Sequence, residues 1–172
     1  MEKVDIYDKN RIKTGETMIR GEKRDGGYLH VVVHICVINS EGKMLIQKRQ
    51  ASKKTWSGMW DLSAGGMAVA GEDSCTAAER ELFEELGIKI DFSDKRPCFT
   101  VNFLHGFDDY YIINMDADIS SLSLQQEEVA EADWADYNKI CGMIDEGSFI
   151  PYHKSLVKLI YDMRYGADAR NL

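Results

Sequence analysis

The residues best suited to chemistry in this sequence are one arginine and three glutamates that follow one another closely. They are Arg80, Glu81, Glu84 and Glu85. On a helix, positions three and four apart are neighbours, so the three carboxylates repel one another by a few tenths of a kcal/mol per pair unless a cation lies among them. Carboxylate oxygens suit Mg²⁺ or Mn²⁺, which favour phosphate oxygens as further ligands. The spacing therefore indicates phosphoryl chemistry, although such a helix can also simply present a charged face to solvent.

The segment that carries these residues is predicted to be a helix over positions 73–86. Gly87 followed by Ile88 is typical of a left-handed C-terminal stop with an apolar residue after it. At about 100° per residue, the helix has a core side and, opposite it, an acidic side with Arg80 and the three glutamates. The residues expected on the core side are Leu82, Phe83 and Leu86.

The surrounding sequence predicts strands. Residues 29–38 form a nearly unbroken apolar run, which is typical of a strand buried on both faces and central to a sheet. Residues 39–42 predict a turn and 43–49 the returning strand of a hairpin. Further strands are expected at 99–104 and 110–115, with 106–109 between them.

The two ends of the chain differ in character. Residues 1–28 are polar and rich in turns, and we expect an N-terminal extension packed on the core, with a short strand at 4–7. Near the other end, Pro151 suits the first turn of a core-packing helix that ends by Gly166. Its apolar positions are Leu156, Leu159, Ile160 and Met163. Strands interspersed with helices predict an α/β sandwich with a mixed sheet covered on both faces.

Length and charge limit the possible functions. A chain of 172 residues without a linker or repeat predicts one domain, covering residues 1–172. With a formal net charge of −8, neither nucleic acid nor a membrane is expected as a partner, and any phosphate substrate needs a local cation. We see no basic leader and no apolar run that could cross a bilayer, so a cytoplasmic protein is expected. A homodimer is left open.

A longer pattern surrounds the glutamates. Residues 66–88 match G-x5-E-x7-R-E-U-x-E-E-x-G-U, the Nudix box, at every fixed position, and a chance match is on the order of one in a billion. The matching residues are Gly66, Glu72, Arg80, Glu81, Leu82, Glu84, Glu85, Gly87 and Ile88. The chain thus resembles the Nudix hydrolases. This resemblance implies an α/β/α sandwich and a Mg²⁺-dependent enzyme, with Mn²⁺ as a substitute, that cleaves a pyrophosphate linkage in a nucleoside diphosphate joined to another group.

The resemblance also implies roles for individual residues. Glu84 and Glu85 would be the principal metal ligands, and Glu81, which converges on the same metal, would orient or deprotonate the attacking water. Arg80 would hold the neighbouring carboxylates by ion pairing. Glu72 would be an auxiliary ligand or a buttress of the site.

Two further positions complete the expected metal site. Gly65, with Gly66, would bend the backbone where a side chain could not fit, and could offer a carbonyl to the metal. Many members of the family draw another acidic ligand from a late loop, and Glu128 is our candidate, with an exposed loop charge as the equal alternative. Residues that bind the rest of the substrate are not identified, because specificity lies in loops outside the box.

The sequence is also similar to isopentenyl-diphosphate isomerases and to isomerase-like Nudix hydrolases. The similar segments are 28–38, 47–49 and 52–61. The essential cysteine of the isomerases would fall at Gly65, and one of their metal-binding histidines at Met67. A second metal-binding histidine would fall at Lys23. None of these three residues can take the role of its isomerase counterpart. The complete box favours a hydrolase over an isomerase. A Nudix-fold sensor that binds a nucleotide without cleaving it is a third hypothesis.

Overall fold

A computed structural model describes residues 2–22, 28–166 and 170. It contains a two-stranded sheet and a seven-stranded sheet. In the described part of the chain the strands are β1 (Lys3–Tyr7), β2 (Lys13–Ile19), β3 (His30–Ile38), β4 (Met44–Arg49), β5 (Trp60–Asp61), β6 (Ala64–Met67), β7 (Phe99–Phe103), β8 (Gly106–Asn114) and β9 (Val129–Ala135). The α-helices are α1 (Ser74–Leu86), α2 (Tyr137–Asp145) and α3 (Lys154–Asp162).

The large sheet is mixed, as predicted. β3 pairs in parallel with β8 and antiparallel with β4 and β6, so it lies in the middle of the sheet. β7 extends the sheet beyond β8, and β9 extends it beside β4. The nine residues of β3 are mostly buried, which agrees with the apolar run that predicted a central strand.

The centre of the sheet contains an inserted segment. β3 and β4 are paired only at Ile38 and Met44, next to their hairpin, and then diverge. Residues 60–67 occupy the gap, with β5 paired to β4 and β6 paired to β3. Between β5 and β6, the buried Ser63 hydroxyl accepts a hydrogen bond from Val37 N at 2.8 Å and donates one to Leu45 O at 2.5 Å. Ser63 thus replaces a ladder connection where the two strands have separated.

Helices cover the sheet on both faces. α1 packs on one face in a core that includes Val33, Ile35 and Tyr111. Residues of α2 and α3 pack on the opposite face in a second core with Ile140 and Ile160 at its centre. The predicted α/β/α sandwich is therefore confirmed. No helix among the described residues is long and apolar enough to cross a membrane.

Helix α1 has the predicted limits. The Asp73 side chain accepts a hydrogen bond from Thr76 N at 2.8 Å and caps its start. Gly87 ends it in the left-handed conformation, with φ at 72°, and donates to Phe83 O.

The predicted core side of α1 is wrong in one respect. Phe83 is 45% exposed, with the Lys89 ammonium 4.9 Å from its ring centroid. The buried arc of the helix instead extends from Leu82 towards Glu81 and Glu85. On this side of the helix, Glu85 accepts hydrogen bonds from Gly65 N of the inserted segment and from Gln47 of β4, and Gly66 leaves room for the Glu81 carboxylate.

Several other predictions differ from the structure. Residues 106–109, expected between strands, are the first part of β8, where they pair with the start of β3. α3 begins at Lys154 instead of Pro151, and Leu159 in that helix is 41% exposed. The sequence analysis did not predict β2, β5, β6, β9 or α2. β5 and β6 are too short to show a period, β2 and β9 alternate weakly between apolar and polar residues, and α2 is a short helix of nine residues.

Candidate functional site

Arg80 is the centre of the ion pairs on the box helix. Its guanidinium donates to both carboxylate oxygens of Glu72, at 2.7 and 3.0 Å. The same group donates to Glu81 at 2.9 Å and to Glu84 at 3.0 Å. The hydrogen bond to Glu72, followed by its other acidic neighbours, raises the pKa of Arg80. Arg80 therefore fixes three carboxylates of the box relative to one another.

Glu85 is enclosed by the inserted segment and β4. Its Oε2 accepts from Gln47 Nε2 at 2.8 Å and from Gly65 N at 3.1 Å, and the residue is 4% exposed. Burial, and then the nearby negative charge of Glu81, raises the pKa of Glu85 to about 8. The surroundings of Glu85 therefore disfavour its charged form when no cation is bound.

Glu81 lies directly against the backbone of Gly66. An added Cβ at Gly66 would be 2.1 Å from Glu81 Oε1, so any larger residue would displace this carboxylate. Burial raises the pKa of Glu81, and Arg80 opposes that shift. The missing side chain at Gly66, in β6, thus leaves room for the buried Glu81 carboxylate of α1.

Gly65 has a different constraint. A Cβ there would lie 2.8 Å from Val33 O, which is backbone of the neighbouring strand β3. The space for a side chain is therefore closed by a group that cannot turn away. In the loop that follows, Glu72 Oε2 accepts from Val69 N at 2.9 Å, so Glu72 both shapes the loop and holds Arg80.

Glu128 lies in the late loop, close to the end of α1. The loop itself contacts the helix, since Ser123 N donates to Leu86 O and Gln125 N to Glu85 O, both at 3.1 Å. The Glu128 carboxylate, however, forms an ion pair with Lys53. The structure brings this segment to the helix without placing the Glu128 side chain among the box carboxylates.

The oxygen atoms at the box have the chemistry that a divalent cation needs. Among the described residues, no three His, Cys, Asp or Glu side chains already form a ligand group. Glu81 and Glu85 are nevertheless two buried carboxylates whose pKa values are raised by burial, next to the Gly65 backbone. Glu84 has 46% of its side chain exposed and, among the described residues, is held by Arg80 alone, so it can turn. An all-oxygen site of this kind fits Mg²⁺ or Mn²⁺.

Sequence reasoning missed Gln47 as a site residue. It is 2% exposed and occupies a core-facing position of β4, where an apolar residue would be usual. A polar residue inside an otherwise apolar strand was the available signal. Its partner, Glu85, could not be identified from the sequence because the two are 38 positions apart.

Among the described residues, neither His30 nor His34 forms a hydrogen bond or ion pair with the box carboxylates, although the His34 ring lies beside Gly65. His30, at the start of β3, is buried, and its Nδ1 has no hydrogen-bond partner among the described residues. His34 Nε2 lies 3.4 Å from Asp108 and its ring stacks on Tyr110. Lys23, named above for the isomerase comparison, lies outside the described residues.

Comparison with known proteins decides the family. The NUDIX domain model matches residues 28–157. The chain belongs to the Nudix family. An uncharacterized Nudix hydrolase of Listeria monocytogenes is 50% identical to it over 152 residues, which are 88% of this chain and 90% of that protein. This Nudix chain is accordingly a hydrolase that acts on phosphorus-containing acid anhydrides.

Two more distant similarities concern the fold and the isomerase branch. The crystal structure of DR0079 from Deinococcus radiodurans superimposes with a TM-score of 0.74 at 23% identity, covering 94% of this chain and 98% of that one. An isopentenyl-diphosphate Delta-isomerase of Halorhodospira halophila is 41% identical over 88 residues, 51% of this Nudix chain and 50% of the isomerase. The first supports the fold, and the second covers only half of each chain.

Proposed function

We propose that this protein is a Mg²⁺-dependent Nudix hydrolase that cleaves the pyrophosphate linkage of a nucleoside diphosphate joined to another group. Support comes above all from the buried pair of carboxylates, Glu81 and Glu85, beside the Gly65 and Gly66 backbone. Burial raises the pKa of both carboxyls, and the charge of Glu81 raises that of Glu85 further, so their charged forms are costly unless a cation binds them. Mn²⁺ can replace Mg²⁺ in the proposal.

Glu85 and Glu84 would hold the cation, with Glu81 and the Gly65 carbonyl beside them and Glu72 as an auxiliary group. When bound, the cation would neutralise the pyrophosphate and stabilise charge on the leaving oxygen. Glu81 is the group that orients or deprotonates the attacking water, since burial raises its pKa and so makes it a stronger base than an exposed carboxylate. Glu128 could join only after leaving Lys53.

Arg80 has a positioning role in this proposal. It contacts Glu72, Glu81 and Glu84 at once and so limits the directions that these side chains can take. A preorganised set of carboxylates avoids the cost of ordering them when substrate arrives.

A substrate panel tests the proposed function. Nucleoside di- and triphosphates, dinucleotide cofactors and isopentenyl diphosphate are incubated with the protein and Mg²⁺, and products are identified. We expect mononucleotide or phosphate to be released from at least one nucleotide and turnover to stop with a chelator. Turnover that persists without metal, or a nucleotide that binds without being cleaved, would refute it; the latter result would indicate a sensor.

An isomerase is the second candidate, because one relative of that name shares 41% identity over half of the chain. The backbone argues against it: a cysteine at position 65 would place its Cβ 2.8 Å from Val33 O. We expect no dimethylallyl diphosphate to form from isopentenyl diphosphate. Its formation above background would favour the isomerase.

The proposal extends to the setting of the enzyme. Residues 1–172 would act as one domain on a small-molecule phosphoanhydride in the cytoplasm, without nucleic acid or membrane partners. A homodimer is the oligomer to be tested, by sedimentation of the full chain at several concentrations.

A further inference from the structure

The β1–β2 hairpin lies before the region that the family model matches, yet it holds the loop between β6 and α1. Asp5 and Lys13, one on each strand of the hairpin, form an ion pair at 2.8 Å. Asp5 Oδ2 accepts a hydrogen bond from Gly71 N at 2.9 Å. Lys13 Nζ donates one to Glu72 O at 2.7 Å. The ion pair therefore fixes the main chain at two successive residues of the loop.

Glu72 connects this loop to the ion pairs of the box. Its carboxylate accepts from Arg80 Nε at 2.7 Å and from Arg80 Nη2 at 3.0 Å, and 12% of its side chain is exposed. Arg80 in turn donates to Glu81 and Glu84. A shift of the main chain at Glu72 would therefore displace Arg80 and, through it, two carboxylates of the proposed metal site.

The hairpin is attached to the rest of the protein at points other than this loop. Tyr7 N donates to Leu29 O at 2.8 Å, just before β3. At the turn between β1 and β2, Arg11 Nη1 donates to Asp109 Oδ1 at 2.9 Å, and Asp109 is fully buried in β8. Asp109 also accepts a hydrogen bond from the hydroxyl of Ser74, the first residue of α1. The hairpin is thus a fixed support, with connections on both sides of the residue that caps α1.

The stability of the hairpin has a different source from this ion pair. Val4, Ile6 and Met18 form a buried apolar cluster, against which Met67 of β6 packs. The Lys13 side chain, in contrast, is 40% exposed, and ion pairs that contact solvent to this extent contribute little to folding. Removing the ion pair should therefore leave the hairpin in place while it releases the loop.

We propose that Asp5 and Lys13 are positioning residues for the metal site of the box. They fix the main chain at Glu72, and the Glu72 carboxylate in turn fixes Arg80 and its other acidic partners. The inference rests on the proposed function, and both residues act through Glu72 rather than on the metal or the substrate. Their value lies in holding the carboxylates in place before a cation and a substrate arrive.

The first test is calorimetric binding of Mn²⁺ alone to the full chain. In Lys13→Gln the side chain is shorter and uncharged, and in Asp5→Ala the acceptor for Gly71 N is lost. The control is Lys139→Gln, because Lys139 has a similarly exposed ion pair on α2, across the sheet from α1. We expect Mn²⁺ to bind about threefold to tenfold more weakly to both variants, below the effect of losing a group that contacts a metal ligand directly. Lys139→Gln should match the wild type.

A conservative variant separates positioning from a general effect on the fold. Lys13→Arg keeps a cation that can donate to both Asp5 and Glu72 O, so its Mn²⁺ affinity should stay within about twofold of the wild type. Thermal melting of every variant shows that it is folded. The proposal would be overturned if Lys13→Gln and Asp5→Ala both bound Mn²⁺ as tightly as the wild type, or if Lys13→Arg were as weak as Lys13→Gln.

A double-mutant cycle with Glu72→Gln tests the route of the effect. The neutral amide at position 72 no longer forms an ion pair with Arg80, so the connection from Lys13 to the other carboxylates is interrupted. Adding Lys13→Gln to this variant should weaken Mn²⁺ binding by less than about twofold, because residues that act through one another do not have additive effects. If Lys13→Gln weakened binding equally in both backgrounds, Lys13 would not act through Glu72, and the proposal would fail.

The outcomes distinguish this inference from the proposed function. If the wild type binds Mn²⁺ but cleaves no nucleotide, the proposed activity fails, whereas the comparison of variants still decides the role of Asp5 and Lys13. If the wild type is active and the variants bind Mn²⁺ as it does, only the present inference fails. With an active substrate and saturating Mg²⁺, Lys13→Gln should lower kcat by about threefold to tenfold and leave KM nearly unchanged. A raised KM with an unchanged kcat would contradict a positioning role.

Discussion

The Gln47 side-chain amide donates a hydrogen bond to Glu85 Oε2 at 2.8 Å, and both residues are buried. This contact joins β4 to α1 across the inserted segment. Gly65 N donates to the same oxygen, at 3.1 Å. Glu85 is thus held by two neutral donors, which stabilise its charged form without cancelling its charge.

Replacing Gln47 tests whether this contact helps Glu85 to bind a cation. In Gln47→Leu the carboxylate loses one donor, so its charged form is less stable and a cation binds it less well. We expect the Mg²⁺ concentration for half-maximal activity to rise about tenfold or more, the usual effect of losing a residue that orients a ligand. Gln50→Leu, whose amide makes only a 3.5 Å contact to Val129 O, is the control. Equal Mg²⁺ dependence in the two variants would contradict the assignment.

Replacing Glu85 separates a metal site from a solvated acidic face. In Glu85→Gln a buried group loses its charge, so the metal-free protein should be as stable as the wild type or more stable by a few tenths of a kcal/mol per relieved pair. Activity should fall by orders of magnitude, and the rise in Tm on adding Mg²⁺ should nearly vanish. Glu127→Gln, at an exposed loop position, should change neither. An active Glu85→Gln protein with an unaltered Mg²⁺ shift would remove the metal assignment.

Metal-free stability should depend on pH in a defined direction. Burial, then Glu81, raises the pKa of Glu85 from 4.5 to about 8, so the folded state binds more protons than the unfolded state between these values. The contribution of Glu85 is fully present below pH 4.5 and is lost as pH rises through about 8. With chelator present, urea unfolding should give a lower free energy of unfolding at pH 9 than at pH 6, and Glu85→Gln should reduce the difference. A wild type that gains stability over this interval would exclude the raised pKa.

The two adjacent glycines should respond differently to alanine. In Gly66→Ala the new Cβ meets the end of the Glu81 side chain, which can turn, so stability should change little while activity falls by roughly 10²-fold because the carboxylate is displaced. In Gly65→Ala the Cβ meets Val33 O, so the backbone must move, at a cost of about 1–3 kcal/mol. Urea unfolding and kcat are measured for both. The reverse ranking in stability would show that the two environments are misassigned.

The sequence predicted those features of the fold and the site that are determined by residues close together in the chain. The limits of α1 follow from Asp73 and Gly87, and the central position of β3 follows from its apolar run. The box supplied the family and the candidate residues. Each of these conclusions needs only a short continuous segment.

Other parts depend on contacts between distant segments. The sequence predicted Phe83 inside and the glutamates outside, because periodicity alone does not show that Gly65 N and Gln47 hold Glu85 in the interior or that Gly66 leaves room for Glu81. The contact with Gln47 and the ion pair of Glu128 with Lys53 arise only when the sheet has formed. A pattern of charges on one helix cannot contain this information.

The position of Ser63 has a consequence for how such a protein can change over time. Its hydroxyl connects β3 and β4 where they diverge, so Gly65 and Gly66 lie within the sheet and not in a surface loop. Loops at the surface accept insertions and substitutions far more readily than the paired interior of a sheet. If the box carboxylates form the bond-cleaving centre, as proposed, that centre lies in the paired interior of the sheet, and substitutions that alter the choice of substrate are expected in the surface loops around it.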